Sequence, residues 1–206
     1  MFGKVFSICL ILVICISGIA AANTILLAPT GTTLTTGQIR AEAALSPDNE
    51  NGKYYWFATG FQQFEASIIR YENVLGTDEN QFSGQWNFIP ETFLTPAISF
   101  GVTDVTSQSK EGIGAYAAIT KHLPIGRFSS LLKDLAVSGG VGIKGINGPF
   151  FGLEAKLPAN LFLQFEYDSR DFNGAVGWQP VSLFRVKGSS IRNEFYFGAE
   201  IVPVQF

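Results

Sequence analysis

Charged side chains recur at every second position along several stretches of this sequence. Glu154 precedes Lys156 in this way, and Arg40 precedes Glu42. Residues two apart in a strand lie on one face, and ionic groups on a shielded face need partners or water. The chemistry indicated is a salt-bridge and hydrogen-bond network, or a charged constriction that selects ions or small solutes. The candidate charges of this shielded face, which is the lumen if the strands close into a barrel, are Arg40, Glu42, Glu65, Glu154, Lys156, Glu166, Asp168, Arg185, Glu194 and Glu200, together with Lys187.

Catalytic and metal chemistry find no comparable support in the sequence. The single histidine, His122, stands between Lys121 and Leu123-Pro124, which indicates a loop or strand-rim residue. Residues 139–142 read Gly-Gly-Val-Gly, but they lie within a strand pattern and no helix follows, so they do not indicate a phosphate loop. We therefore expect no enzyme activity, no cofactor and no metal site.

Alternation with a period of two recurs along most of the chain and predicts strands. Between residues 134 and 144, Leu135, Val137 and Val141 share one face, while Ser138 and Lys144 share the other. Residues 122–133 are less regular and indicate a short helix or a long loop. The predicted strands are 37–45, 53–61, 63–72, 81–90, 96–105, 112–121, 134–143, 149–157, 160–168, 171–178, 181–188 and 192–202.

The composition narrows the protein class. The chain has 206 residues, of which 15% are charged, 14% aromatic and 47% hydrophobic. So many aromatic residues with so few charges argue against intrinsic disorder. The net charge of -3 argues against a nucleic-acid binder. A length near 200 residues fits one domain.

The first 22 residues have the features of a secretory signal peptide. Lys4 is followed by an apolar run over residues 5–16, and Ala20-Ala21-Ala22 provides small residues for cleavage. The alternative is a retained membrane anchor, although the run is shorter than a spanning helix needs. Both cysteines, Cys9 and Cys15, lie in this part, so cleavage leaves a chain without thiols. We predict a signal peptide at 1–22, an N-terminal extended segment at 23–36 and a β-barrel domain at 37–206.

Short strands separated by turns suit either a soluble barrel or an outer-membrane barrel, and the two differ in what the apolar face contacts. The polar faces here are poor in lysine and rich in Gly, Ala, Ser and Gln, which favours a lumen over a solvent-exposed surface. The runs of 8–10 residues approach the length of a transmembrane strand. We predict an all-β fold, a closed antiparallel up-and-down transmembrane β-barrel of about 12 strands, with 8–12 strands compatible.

Aromatic residues near predicted strand ends form interfacial girdles or reflect ordinary β propensity; both interpretations stay open. These residues are Tyr54, Tyr55, Trp56, Tyr71, Trp86, Phe88, Tyr167, Trp178 and Phe206.

Several stretches resemble the YjbH-like family of bacterial outer-membrane barrel proteins, which is associated with exopolysaccharide production. They are APT at 28–30 with GQIR at 37–40, FEASIIRY at 64–71, PAISFGVTDV at 96–105, and LQFEYD at 163–168 with FNGA at 172–175. Phe206, with Val202 and Val204 at alternate positions, is similar to the terminal signal read by the barrel-assembly machinery, from which Pro203 departs. The resemblance implies the outer membrane of a Gram-negative-type bacterium, with lipid, the assembly machinery and polysaccharide-export proteins as partners.

Three functions follow from the sequence. The first is a structural or accessory role in envelope or exopolysaccharide export. The second is a narrow pore that prefers cations, because acidic residues are in excess on the lumen face. The third is a soluble exported barrel that binds a small apolar ligand, in which the same alternation faces the other way.

Overall fold

Alternating apolar and polar residues form twelve strands in the computed structural model, which describes residues 25–49, 52–74, 77–127 and 130–205. Two 3-10 helices occur among them, Ile125–Arg127 and Pro158–Asn160. The strands are β1 Gln38–Leu45, β2 Lys53–Phe61, β3 Phe64–Val74, β4 Thr77–Ile89, β5 Ala97–Thr103, β6 Gly114–Leu123, β7 Asp134–Ile143, β8 Gly148–Lys156, β9 Leu161–Tyr167, β10 Phe172–Val181, β11 Phe184–Ile191 and β12 Glu194–Gln205.

Each strand pairs antiparallel with its neighbours in the chain, and β1 pairs with β12, so the sheet is a closed barrel. Closure leaves no edge strand with unpaired amides. The prediction of a closed antiparallel barrel of about 12 strands is confirmed. Strand ends differ from the predicted ones by a few residues: β4 begins at Thr77, and β5 ends at Thr103 because Asp104 has a positive φ of 49°.

The antiparallel order fixes two ends of the barrel. We call the end where β1 begins and β12 finishes the proximal mouth, and it carries the connections that follow β2, β4, β6, β8 and β10. The distal mouth carries the connections that follow the odd-numbered strands, from β1 to β11. The connection after β11 is a two-residue turn, in which Arg192 and Asn193 have φ of 50° and 67°, as a tight hairpin requires.

The apolar face of the sheet points outward. Phe61, Phe172 and Phe197 are each more than 60% exposed, whereas Glu166 and Glu200 on the opposite face are buried. This orientation overturns the premise of the soluble-barrel alternative, which needs the apolar side chains inside. Within the described ranges, no helix has the length and hydropathy of a membrane span.

Aromatic side chains occupy both faces, which corrects part of the girdle hypothesis. Tyr54 and Trp56 are buried inside the barrel, and Tyr71 packs there against Tyr54, so the proposal that these three form a girdle is wrong. Tyr55, Trp86, Phe88 and Trp178 are exposed on the outer face. Two clusters of contacting rings lie outside, Phe64, Trp86, Phe88 and Phe100 toward the proximal mouth and Phe151, Phe165, Tyr167 and Phe172 toward the distal mouth.

His122 lies near the proximal end of β6, as expected for a strand-rim residue. Its Nδ1 is 2.5 Å from a carboxylate oxygen of Glu91, and its backbone amide donates to the other oxygen at 2.7 Å. Burial alone would raise the pKa of Glu91, but these hydrogen bonds and Lys121 lower it. The proposed signal peptide, the expected first mature residue Asn23 and the terminal Phe206 lie outside the described residues.

Candidate functional site in the barrel lumen

Buried ion pairs join β1, β11 and β12 inside the barrel. Arg40 Nε lies 2.7 Å from the Glu200 carboxylate, and Lys187 Nζ lies 2.9 Å from Glu42. Arg40 also stacks over the ring of Trp56 at 4.6 Å. Tyr54 donates its hydroxyl to Glu42 at 2.5 Å. The four charged side chains are at most 5% exposed, so each carboxylate has a cation in a place with little solvent.

A second ionic group lies toward the proximal mouth, on β8, β9 and β11. Arg185 pairs with Glu154 at 3.2 Å, and Gln164 donates to the same carboxylate at 2.8 Å. Lys156 pairs with Asp134 on β7 at 3.4 Å, and both side chains are about one-third exposed. The structure therefore brings six of the ten predicted residues, with Lys187 and Asp134, into ion pairs on one side of the lumen.

The other four predicted residues have different partners. Asp168 follows β9, accepts two amides of its own loop, and pairs with Arg192 at 3.1 Å. Glu194 accepts the hydroxyl of Tyr196. Glu65, Glu166 and Glu194 form no ion pair with any residue that the structure describes and accept hydrogen bonds instead.

Glu166 instead binds backbone amides of the N-terminal segment. Its carboxylate accepts hydrogen bonds from Leu26 at 2.9 Å, Leu27 at 2.9 Å and Ala28 at 2.9 Å, and from the Asn173 side chain at 2.9 Å. Charge-assisted bonds of this kind are about twice as strong as neutral ones. We call residues 25–36, which lie inside the barrel before β1, the luminal segment.

The middle of the luminal segment contacts the opposite wall. The Gly31 amide donates to Thr120 at 2.7 Å, and the Gly31 carbonyl accepts from Asn87 at 2.6 Å and Ser99 at 2.5 Å. A Cβ on Gly31 would lie 2.6 Å from the carbonyl oxygen of Ala97, so only glycine allows this approach. Side chains of β4, β5 and β6 thus satisfy both backbone groups of Gly31, its amide and its carbonyl.

Further contacts carry the segment to the start of β1. Gln85 donates to the carbonyls of Thr30 and Thr32 at 2.9 and 3.0 Å. The Leu34 amide donates to Glu65 at 2.7 Å, and Leu34 itself is fully buried. The segment therefore crosses the lumen from β9 to β4–β6 and then to β3.

The sequence did not indicate this use of the lumen. The N-terminal extended segment was predicted without a location, and Gln85, Asn87, Ser99 and Thr120 were not singled out. One signal was available: β4 carries Gln81, Ser83, Gln85 and Asn87 on its inner face. A buried run of uncharged polar side chains has to find partners, and a peptide backbone supplies both donors and acceptors.

A cavity of about 310 Å³ remains in the distal half of the lumen. Leu26, Leu27 and Pro29 of the luminal segment form part of its lining, together with side chains of β2, β3 and β4 and of the distal loops. Asp104 holds one of these loops in place. Burial opposes its ionisation, but hydrogen bonds from the Ser109 hydroxyl and from the amides of Gln108 and Ser109 lower the pKa of Asp104.

Comparison with solved structures shows the same fold in a porin. The chain is similar to a structure described as "KdgM porin", with a TM-score of 0.51 and 9% identity over 80% of this chain and 98% of that one. At this identity the likeness shows the fold alone. No family model matches the sequence, and the search of curated proteins gives no match. The YjbH-like family thus stays a resemblance of sequence stretches.

Proposed function

We propose that this protein is an outer-membrane pore for small solutes that its own luminal segment closes. The observation that carries the proposal is the binding of three consecutive segment amides by Glu166 inside a porin-type barrel. The outer surface supports a membrane location, because soluble monomers rarely expose an apolar surface that surrounds the molecule. Closure of the sheet satisfies every wall strand without water, as a lipid environment demands.

The luminal segment has contacts suited to a closed state that can open. It is held by hydrogen bonds to β3, β4, β5, β6 and β9 and by the packing of Leu34 against Trp56 and Ala58. Among the described residues, the segment pairs with the wall at the single Thr36–Gly60 bridge to β2, and each strand has two neighbouring strands as its ladder partners. The barrel wall can therefore persist when the segment leaves, and a lumen lined by polar side chains then connects the two mouths.

A disulfide between the segment and the wall tests this directly. Ile25 packs on Gly152, where a Cβ would lie 3.4 Å from Ile25 Cγ1, so Ile25→Cys with Gly152→Cys places the two sulfurs within bonding reach. In planar bilayers we expect the oxidised variant to be silent and to conduct after reduction. Each single-cysteine variant serves as a control that reduction leaves unchanged.

Two results would overturn the proposal. One is equal conductance of the double-cysteine variant before and after reduction. The other is silence of the wild type, of the reduced variant and of Glu166→Gln, which would leave a structural barrel. Glu166→Gln weakens the charge-assisted bonds and should open more often than the wild type, whereas Glu72→Gln, a charge change on the outer face near the distal rim, should not.

The lumen charges support a preference of the open pore for cations. Glu42, Glu154 and Glu200 each have a basic partner, whereas Glu65 and Glu166 accept hydrogen bonds from the amides of the segment. When the segment leaves, these two carboxylates face the pathway without counter-charges. We expect the reversal potential in a KCl gradient to indicate cation selectivity, and Glu65→Gln with Glu166→Gln to reduce it.

An accessory role in exopolysaccharide export is the proposal that follows from the sequence resemblance. Its test is deletion of the gene in its host, with the secreted polymer measured against a strain complemented by the wild type. Unchanged polymer would remove this role and leave the pore proposal standing.

A further inference from the structure

The distal cavity has the size and lining of a small-molecule site. About 310 Å³ lies within the usual range for ligand pockets. Its inner walls include Tyr54, Trp56, Ile69, Tyr71 and Tyr196, and charged groups lie at its rim. Apolar walls with a few convergent polar groups are typical of ligand sites.

Hydrogen bonds to the wall hold three of the rings in place. Tyr54 donates to Glu42 at 2.5 Å, Tyr116 donates to Gln85 at 2.8 Å, and Tyr196 donates to Glu194. The Tyr54 and Tyr196 rings meet edge to face, with centroids 5.5 Å apart. Because their hydroxyls are occupied, these rings offer the cavity their carbon surfaces, which carry the negative side of the ring quadrupole.

Glu79 is the lining carboxylate that has neither a basic partner nor backbone amide donors among the described residues. Glu42 is paired with Lys187, Glu111 with Arg170 and Asp168 with Arg192. Asp104 is satisfied by loop amides and Ser109. Glu79 accepts only the Gln81 side chain, at 2.7 Å. It is half-buried and stands directly opposite Tyr71 in the β3–β4 ladder.

We infer that the distal cavity binds a small organic cation, an amine or quaternary ammonium group with an apolar body. Glu79 supplies the counter-charge, and the Tyr71 and Tyr54 rings supply aromatic surfaces that attract cations. Trp56 already holds the Arg40 guanidinium over its ring at 4.6 Å, which shows the same attraction within this lumen. Of the basic groups that line the cavity, Arg170 and Arg192 are paired with acidic side chains and Lys110 is an exposed side chain of the loop after β5, so an anion finds no buried basic group among the described lining residues.

This inference goes beyond the proposed pore, because the site is complete while the luminal segment is in place. Binding is therefore measured on the closed barrel without any current, and its failure is distinguishable from failure of the pore. The cavity floor includes Leu26 and Leu27, so a bound cation also contacts the segment.

The experiment is a ligand-observed NMR titration of the refolded protein in octyl glucoside. The probes are choline and 3,3-dimethylbutan-1-ol, which has the same shape without the charge. We expect choline to bind more tightly than the alcohol, and Glu79→Gln to weaken choline about fivefold, the size of a partly exposed charge pair. The affinity of the alcohol should not change with Glu79→Gln.

The matched control is Glu72→Gln, which removes a carboxylate from the outer face of the neighbouring strand and should leave choline binding as in the wild type. Heat-modifiable migration on a gel verifies that each variant is folded. Equal affinity for choline and the alcohol would overturn the inference, as would choline binding that is unchanged in folded Glu79→Gln.

Discussion

Two groups of carboxylates in the lumen have different kinds of partner. Glu42, Glu154 and Glu200, on β1, β8 and β12, face arginine or lysine. Glu65 on β3 and Glu166 on β9 accept hydrogen bonds from backbone amides of the luminal segment instead. All five are glutamates on inward-facing positions of strands, so residue type and alternation are the same in both groups.

The difference lies in what enters the lumen. Where wall strands face each other, a buried carboxylate requires a basic side chain. Where a chain segment crosses the barrel, its amides satisfy the carboxylate, and neutral side chains such as Gln85 and Asn87 satisfy its carbonyls. We therefore expect the ion-paired carboxylates to contribute to the stability of the barrel and, on the proposal of a segment-closed pore, the segment-binding carboxylates to determine whether the pathway is open.

The sharpest test of this comparison is Glu200→Gln. It removes the buried carboxylate that lies 2.7 Å from Arg40. The ion pair with Glu42, at the longer distance of 4.0 Å, remains. Breaking a buried ion pair costs about 3–5 kcal/mol. We expect a loss near the lower end of that range in urea unfolding from lipid vesicles, with no rise in conductance. A conductance rise comparable to that of Glu166→Gln would contradict the distinction between ion-paired and segment-binding carboxylates.

Gly31→Val disturbs the contacts of the luminal segment without changing any charge. The added side chain would collide with the Ala97 carbonyl and the Thr120 amide, which lie 2.6 and 2.7 Å from the Cβ position. Overpacking of this kind costs about 1–3 kcal/mol, and we expect most of it to appear as displacement of the segment. Limited proteolysis should then cut within residues 25–36 while the heat-modifiable barrel persists. A segment as protected as in the wild type would argue against the assigned contacts.

Glu65→Gln should cost less than about 1 kcal/mol, in contrast to Glu200→Gln. One Glu65 oxygen accepts the Leu34 amide, and the other has no hydrogen-bond partner among the described residues. The glutamine oxygen can keep the Leu34 bond, and the substitution removes a buried charge that has no basic partner. Urea unfolding measures the difference between the two variants. Equal losses would mean that Glu65 has an ionic partner in the folded protein.

Glu91→Gln provides the reference outside the lumen and should have the smallest effect, about 0.5 kcal/mol. Its pKa in the folded protein lies below the ordinary value of 4.5. Its contribution is therefore fully present above pH 4.5 and is lost as the pH falls through the lowered pKa. Urea unfolding of wild type and variant should differ at pH 7 and converge as the pH falls below the lowered pKa. A difference that persists unchanged at the acid end of this titration would show that the ionised carboxylate is not the cause.

The sequence predicted the strands of the barrel better than it predicted the partners of the carboxylates inside it. Alternation predicted about twelve strands and which residues share a face, because a side chain in a strand can point only two ways. It did not predict the partners of Glu65 and Glu166, because these come from residues 31 and 138–140 positions away along the chain. Tyr54 and Trp56 were misjudged for a related reason: aromatic residues near a strand end suit either face, and the packing of Leu34 against Trp56 decides for the inside.

The sequence by itself determined an all-β barrel whose strands have one apolar and one polar face, since a period of two requires no knowledge of distant residues. Which face lies outside was decided by the fold. Only the tertiary structure decided that residues 25–36 fill the interior and that Glu166 holds them. Leu26 and Glu166 are 140 positions apart. No local pattern encodes such a contact; it arises when closure of β1 on β12 places the segment among inward-facing polar side chains whose hydrogen bonds must be satisfied.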